Sequence, residues 1–184
     1  MNNFSVKVDG KEYWISRSVA VAVFIFRKVG NKFQVLLEKR GKGAANNIGK
    51  WCCVCGYLDY NETLEEAATR ETKEETGFEI NKEYLTFVKI NSDPSENLQN
   101  VTVHYIYFAS ENEDFNLDKA QGGEKDEVET VEWFDIGTYI HGTLNKKDHI
   151  KINIYKIYER DFAFEHDKLI IEHLSKFYNL KYKN

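Results

Sequence analysis

The sequence predicts an α+β fold: a mixed β-sheet sandwiched by helices, with an N-terminal β-hairpin and a C-terminal helical extension. Three observations predict it. Alternating or continuous apolar runs recur through the first 140 positions. One acidic helical stretch, residues 63–76, interrupts them. From about residue 146 onward, apolar residues recur at helical spacing.

The elements follow in order. Residues 4–15, FSVKVDGKEYWI, hold a DG between alternating runs, which predicts a hairpin with a type I′ turn. SVAVAVFIF (18–26) is a continuous apolar run, as in a buried strand. The turn KVGNK leads to FQVLLEK (33–39), and the two strands should pair as a second hairpin. GKGAANNIGK (41–50) is a flexible Gly/Asn loop, and WCCVCG (51–56) a short strand. Thr63 and Glu66 form a capping box, so a helix should run from about Thr63 to Thr76, with Gly77 as its C′ residue. Leu64, Ala68 and Thr72 form the stripe that packs on the sheet. YLTFVKI (84–90), VTVHYIYFAS (101–110) and VETVEWFDI (128–136) are the remaining strands. In the C-terminal part, Ile150, Ile154, Ile157 and Tyr158 suit one helical face, and Leu169, Ile170, His173, Leu174 and Phe177 another. With a single proline and no linker, the chain divides into a hairpin (1–17), a main domain (18–140) and a helical extension of that domain (141–184).

A chain of 184 residues, 42% hydrophobic and 14% aromatic, can bury a real core. Its net charge of −5 argues against an extended nucleic-acid partner. No apolar run approaches the roughly 20 residues that cross a bilayer, and the N-terminus lacks a signal-peptide pattern, so a cytoplasmic protein without a membrane partner is expected. The cysteines cluster at 52, 53 and 55. An odd, clustered set makes a poor disulfide framework, and the CxxC of Cys52 and Cys55 lacks further zinc ligands, so they read as small buried hydrophobes.

The chemistry concentrates in GYLDYNETLEEAATRETKEETGF, residues 56–78. Like charges at helical spacing repel. Glu71, Glu74 and Glu75 project from one side of the predicted helix, where they make a poor salt-bridge surface but a good oxygen cage for a hard divalent cation. The alternative is an acidic helix face in water. The whole spacing favours the cage: Gly56, five residues, Glu62, seven residues, Arg70-Glu71, two residues, Glu74-Glu75, one residue, Gly77.

That spacing resembles the Nudix box, the signature of the Nudix hydrolases. The strand order over about residues 18–140 also resembles the Nudix fold. Three positions depart from the usual pattern. Thr72 stands where an aliphatic residue is common, and Cys55 and Tyr57 stand where Pro and Gly often flank the first glycine. Every acidic position is intact.

The resemblance implies hydrolysis of a nucleoside diphosphate linked to another moiety, with Mg²⁺, or Mn²⁺ as a substitute. It implies Glu71, Glu74, Glu75 and the Gly56 carbonyl as metal ligands. Arg70 corresponds to an orienting arginine paired with Glu62. The proton from the attacking water falls to Glu71, Glu75 or a glutamate of the late acidic loop, for which Glu124 and Glu127 are the candidates. Arg40, at the end of LLEKR, is a substrate-binding candidate because its fork suits phosphate oxygens. Arg17 is another, and Tyr57 stands beside the proposed metal site, able to bound the pocket or stack on a base. Trp51 and Trp133 read as core, and the mid-strand His104 as a satisfied, half-buried residue. The other histidines form no readable site. Pro94, 16 residues after the box, points to ADP-ribose or a related nucleotide sugar. The alternatives are a modified nucleoside triphosphate, cleaved in a sanitising role, and a nucleotide-binding sensor without turnover. The C-terminal helices would serve a homodimer interface or cap the sheet.

Overall fold

The computed structural model describes residues 3–116, 120, 126–142 and 148–182. β1 (Phe4–Val8) and β2 (Lys11–Ile15) form a separate two-stranded sheet. Asp9 and Gly10 between them both have positive φ, 49° and 79°, as a type I′ turn requires.

The remaining strands build one curled mixed sheet. Its order is β11 (Asn179–Tyr182), β10 (His149–Ile152), β9 (Val128–Ile140), β4 (Lys32–Arg40), β3 (Ser18–Val29), β8 (Asn100–Ala109), β7 (Thr86–Asn91). β3 runs antiparallel to β4 and parallel to β8. Two short strands lie off this path: β5 (Trp51–Cys52) pairs with β4 and β6 (Val54–Tyr57) with β3. The expected single strand over 51–56 is thus broken at Cys53. Its backbone N–H leaves the sheet and donates to His166 Nδ1 at 2.9 Å.

Side chains alternate across the sheet, as the pleat demands. Ala22, Phe24 and Phe26 of β3, with Phe33, Val35 and Leu37 of β4, face one way. They pack against Ile157 of α2 (Ile154–Tyr158) and against Ile170 and Leu174 of α3 (His166–Phe177). Val21, Val23, Ile25 and Leu36 face the other way, against Ala67 and Ala68 of α1 (Leu64–Thr76). Helices therefore cover both faces.

α1 begins and ends where its capping residues dictate. Thr63 N–H donates to Glu66 Oε2 at 2.9 Å, and Glu66 N–H donates to Thr63 Oγ1 at 3.3 Å. Gly77 has φ 66°, and its N–H donates to the Lys73 carbonyl at 2.8 Å. Thr72, in place of an aliphatic residue, is fully buried. Its hydroxyl donates to the Ala68 carbonyl at 2.7 Å, so no polar atom is orphaned.

The C-terminal part corrects one expectation. A helix was expected from about 146, but residues His149–Ile152 form a strand, antiparallel to β9 and parallel to β11. Ile150 and Ile152 alternate with polar neighbours, and both are fully buried. A four-residue HIKI segment satisfies its backbone better at the β9 edge than in a short helix. The three buried histidines gather around Phe24. His104 Nδ1 and His173 Nε2 lie 2.9 Å apart, and the His166 ring centroid is 5.4 Å from that of Phe24. No helix among the described residues is long and apolar enough to cross a membrane.

Candidate active site

The site forms where β6 passes the side of α1. Pairing of β6 with β3 sets Val21 opposite Gly56 and Ala22 opposite Cys55. This brings the Cys55–Gly56–Tyr57 backbone against the helix face that carries Glu71 and Glu75. A Cβ at Gly56 would lie 2.0 Å from Glu71 Cδ, so the glycine leaves the Glu71 carboxyl its place against the strand. Together these residues wall an open cavity of about 210 Å³, with Asp59, Arg70, Glu74 and Glu127 completing its lining.

Arg70 organises the cavity's charge. Its Nε donates to Glu62 Oε2 at 2.9 Å and its Nη2 to Glu62 Oε1 at 2.7 Å, a bidentate pair. Nη2 also donates to the Tyr57 carbonyl at 2.9 Å, tying the loop before α1 to the helix. Nη1 donates to Glu71 Oε1 at 2.8 Å and to Glu74 Oε2 at 3.0 Å. The fork holds Glu62 below the usual carboxylate range. Glu62 and its neighbours in turn raise the Arg70 pKa.

The helix carboxylates differ in environment. Burial raises the Glu71 pKa, against the lowering effect of Arg70. Glu75 is 5% exposed. Burial raises its pKa well above the usual range, and the negative charge of Glu38 adds to the rise. Its Oε2 accepts from the Cys55 N–H at 3.3 Å. Among the described residues no three His, Cys, Asp or Glu side chains are gathered into a ready metal site, and Arg70 supplies the positive charge between Glu71 and Glu74. The donor chemistry nonetheless fits a hard divalent cation: carboxylate oxygens, a backbone carbonyl, and a glycine that leaves room for the Glu71 carboxyl.

Of the other candidates, Glu127 and Tyr57 reach the cavity. The Tyr57 ring is 55% exposed, and its hydroxyl lies 3.3 Å from Asn100 Nδ2. Arg40 is 6% exposed and does not line the cavity. Its Nε donates to the Asn46 carbonyl at 2.9 Å, and its guanidinium sits 5.4 Å from the Phe164 ring centroid. Arg17 organises the loop that contains Pro94, donating to the Ser92 carbonyl at 2.7 Å, the Asn97 carbonyl at 2.5 Å and the Asn100 carbonyl. Glu124 lies outside the described residues. Trp51 is in the core, and half-buried Trp133 donates to Asp114 Oδ1 at 2.7 Å.

Sequence reasoning missed Glu38. It is 1% exposed, and burial pushes its pKa up to about 7. The signal was present, since Glu38 lies two residues after Leu36 on β4 and so shares the face that α1 covers.

The fold agrees with the comparisons. The NUDIX domain family model matches residues 16–156, and the chain belongs to that family. A curated Caenorhabditis elegans protein that carries the name of a nudix hydrolase is 42% identical over 57 residues, 31% of this chain and 15% of that protein. The chain therefore spans a small part of that relative's length. Among solved structures, a MutT/nudix family protein from Enterococcus faecalis superposes with TM-score 0.66 at 22% identity, covering 89% of this chain and 63% of that one. The NUDIX domain of Shewanella oneidensis NrtR, complexed with ADP ribose, superposes with TM-score 0.65 at 19% identity, covering 88% of this chain and 89% of that one. At these identities the solved structures show the shared fold.

Proposed function

We propose that the protein hydrolyses the pyrophosphate bond of a nucleoside diphosphate derivative in a reaction that depends on Mg²⁺, with Mn²⁺ as a substitute. One observation carries the reading: Gly56, Glu71, Glu74, Glu75 and Glu127 line the same cavity as Arg70. Glu71, Glu74, Glu75 and the Gly56 carbonyl would hold the cation. When bound there, it would neutralise phosphate charge and lower the pKa of its water.

The chain's own residues do the rest. Arg70 keeps the loop that carries Glu62 against α1. It cannot take a proton, because a guanidinium stays charged. Proton removal from the attacking water belongs to a carboxylate of the cavity, Glu71, Glu75 or Glu127. The cavity, about 210 Å³, is smaller than the roughly 300–1,000 Å³ of typical ligand pockets. It suits the diphosphate and its cation, leaving the nucleoside to extend over the exposed Tyr57 ring. The ADP ribose held by the NrtR domain and the position of Pro94 make ADP-ribose the first substrate to try.

The test is a product assay with Mg²⁺ across ADP-ribose, nucleotide sugars and modified nucleoside triphosphates, read by mass spectrometry in ¹⁸O-labelled water. Release of a nucleoside monophosphate, lost in Glu75→Gln, supports the reading. Tight binding of a nucleotide without turnover of any would replace the enzyme with a sensor.

A further inference from the structure

We propose that Asn100, outside the Nudix box, is a positioning residue for Tyr57: it holds the Tyr57 ring beside the cavity as a platform for a nucleobase, a role that rests on the function proposed above and deepens it.

Tyr57 lines the cavity from β6, and Asn100 opens β8. β3 runs between them. Its register sets Ala20 opposite Tyr57 and Ser18 opposite Asn100. Residues two apart on a strand point the same way, so Tyr57 and Asn100 share one face of the sheet. On that face β3 carries only the small side chains of Ser18 and Ala20 here, and the Tyr57 hydroxyl reaches across to Asn100. It donates to Asn100 Oδ1 at 3.5 Å and accepts from Asn100 Nδ2 at 3.3 Å.

The backbone at both ends is fixed without this contact. Arg70 Nη2 donates to the Tyr57 carbonyl at 2.9 Å, and the Leu58 N–H donates to the Val19 carbonyl at 3.0 Å. The Asn100 N–H donates to Asn97 Oδ1 at 2.9 Å, and its carbonyl accepts from Arg17 Nη2. What remains to be fixed is the ring. It is 55% exposed, so packing alone leaves it freedom to turn. The Asn100 amide removes part of that freedom before a ligand arrives. Both contacts are long for hydrogen bonds, so the tether is a soft one. Arg17 enters the site at one remove, by holding the main chain of Asn100.

A flat ring anchored at its polar end, open to water beside a cavity sized for a diphosphate, suits a base. Every nucleobase has a π-face to lay on such a ring, and a bare phosphate has none.

The test measures AMP binding to the full chain by calorimetry with Mg²⁺, together with kcat and KM for ADP-ribose. The variants are Asn100→Leu, Tyr57→Phe, the two combined, and Tyr57→Ala. Tyr57→Ala removes the platform and is expected to weaken AMP binding by about 5- to 150-fold. Asn100→Leu and Tyr57→Phe each free the ring. Each should weaken AMP binding by about 2- to 10-fold, the scale of ordering one side chain on binding. KM should rise more than kcat falls. The double variant should bind no more weakly than either single one, because both remove the same tether. Losses that multiply in the double variant overturn the inference, as does wild-type AMP affinity in Asn100→Leu. Should Asn100→Leu fail to fold, Tyr57→Phe decides: weakened AMP binding upholds the inference and wild-type binding overturns it. A wild-type protein that binds AMP but turns over none of the nucleotides tried overturns the functional reading alone, and the AMP affinities of the variants still decide the role of Asn100. A wild-type protein that binds no AMP yet cleaves ADP-ribose overturns the platform alone.

Discussion

Arg70 grips Glu62 through two parallel hydrogen bonds, Nε to Oε2 at 2.9 Å and Nη2 to Oε1 at 2.7 Å, and so locks the loop before α1 to the helix. Lys has one ammonium and cannot reproduce the fork. Arg70→Lys is expected to lower kcat/KM by about tenfold or more, the scale of one lost charge-assisted hydrogen bond. Glu62→Ala should cost about 1.5–3 kcal/mol of stability, because the pair is mostly shielded from water. Urea denaturation checks the second figure. No change in either quantity would mean the fork is ornamental.

Glu75 is buried, and the negative charge of Glu38 acts on it, so its own charge strains the fold that it serves. Glu75→Gln removes that conflict. Turnover should fall by about 100-fold or more, while the metal-free protein melts no lower than wild type. A collapse in melting temperature without metal would assign Glu75 a structural role.

Gly56 separates site from scaffold. An added Cβ would strike the end of the Glu71 side chain, with Cδ at 2.0 Å and Oε1 at 2.1 Å, and not the backbone. The side chain can swing aside at small cost to folding, but it then leaves the cavity. Gly56→Ala should therefore lose Mn²⁺ affinity and turnover far more than it loses melting temperature. Equal losses in both would show that the helix itself had been displaced.

The histidine cluster predicts acid sensitivity. Burial lowers His104 and His166 to about 3 and His173 to about 4. The unfolded chain binds these protons near pH 6.5. Between those values the unfolded state holds more protons, so the histidines' contribution to stability is full above about pH 6.5 and falls as pH drops toward the folded values. Glu38 and Glu75, whose pKa values are raised, act with the opposite sign over the same range, so the rings are followed directly: the imidazole NMR resonances of His104, His166 and His173 should show no titration midpoint between about pH 7.5 and 5. A midpoint near pH 6.5 at any of the three would contradict their burial as neutral groups.

Parts of this protein are legible in short stretches. Thr63 and Glu66 announce the start of α1, and Gly77 its end, because capping is a contact between near neighbours. The DG turn does the same for the first hairpin. The spacing from Gly56 to Gly77 is local as well. One helix and the strand before it carry nearly the whole proposed cation site, so residue order alone brings those carboxylates together.

Other features had no local sign. The HIKI segment alternates weakly in a region of helical spacing, and it became a strand because β9 offered an unpaired edge. The hydrogen bonds of Arg17 and Arg40 to backbone carbonyls of loops likewise had no local sign.

By its order of residues alone, the chain determined the acidic helix, its two ends and the glycine beside it, since each depends on contacts a few positions apart. Only the tertiary structure decided that buried Glu38, 37 positions away, comes close enough to raise the Glu75 pKa, and that His104 meets His173. Those encounters follow from which strand lies beneath which helix. Burial removes the water that would otherwise screen the groups, and distant side chains become each other's surroundings.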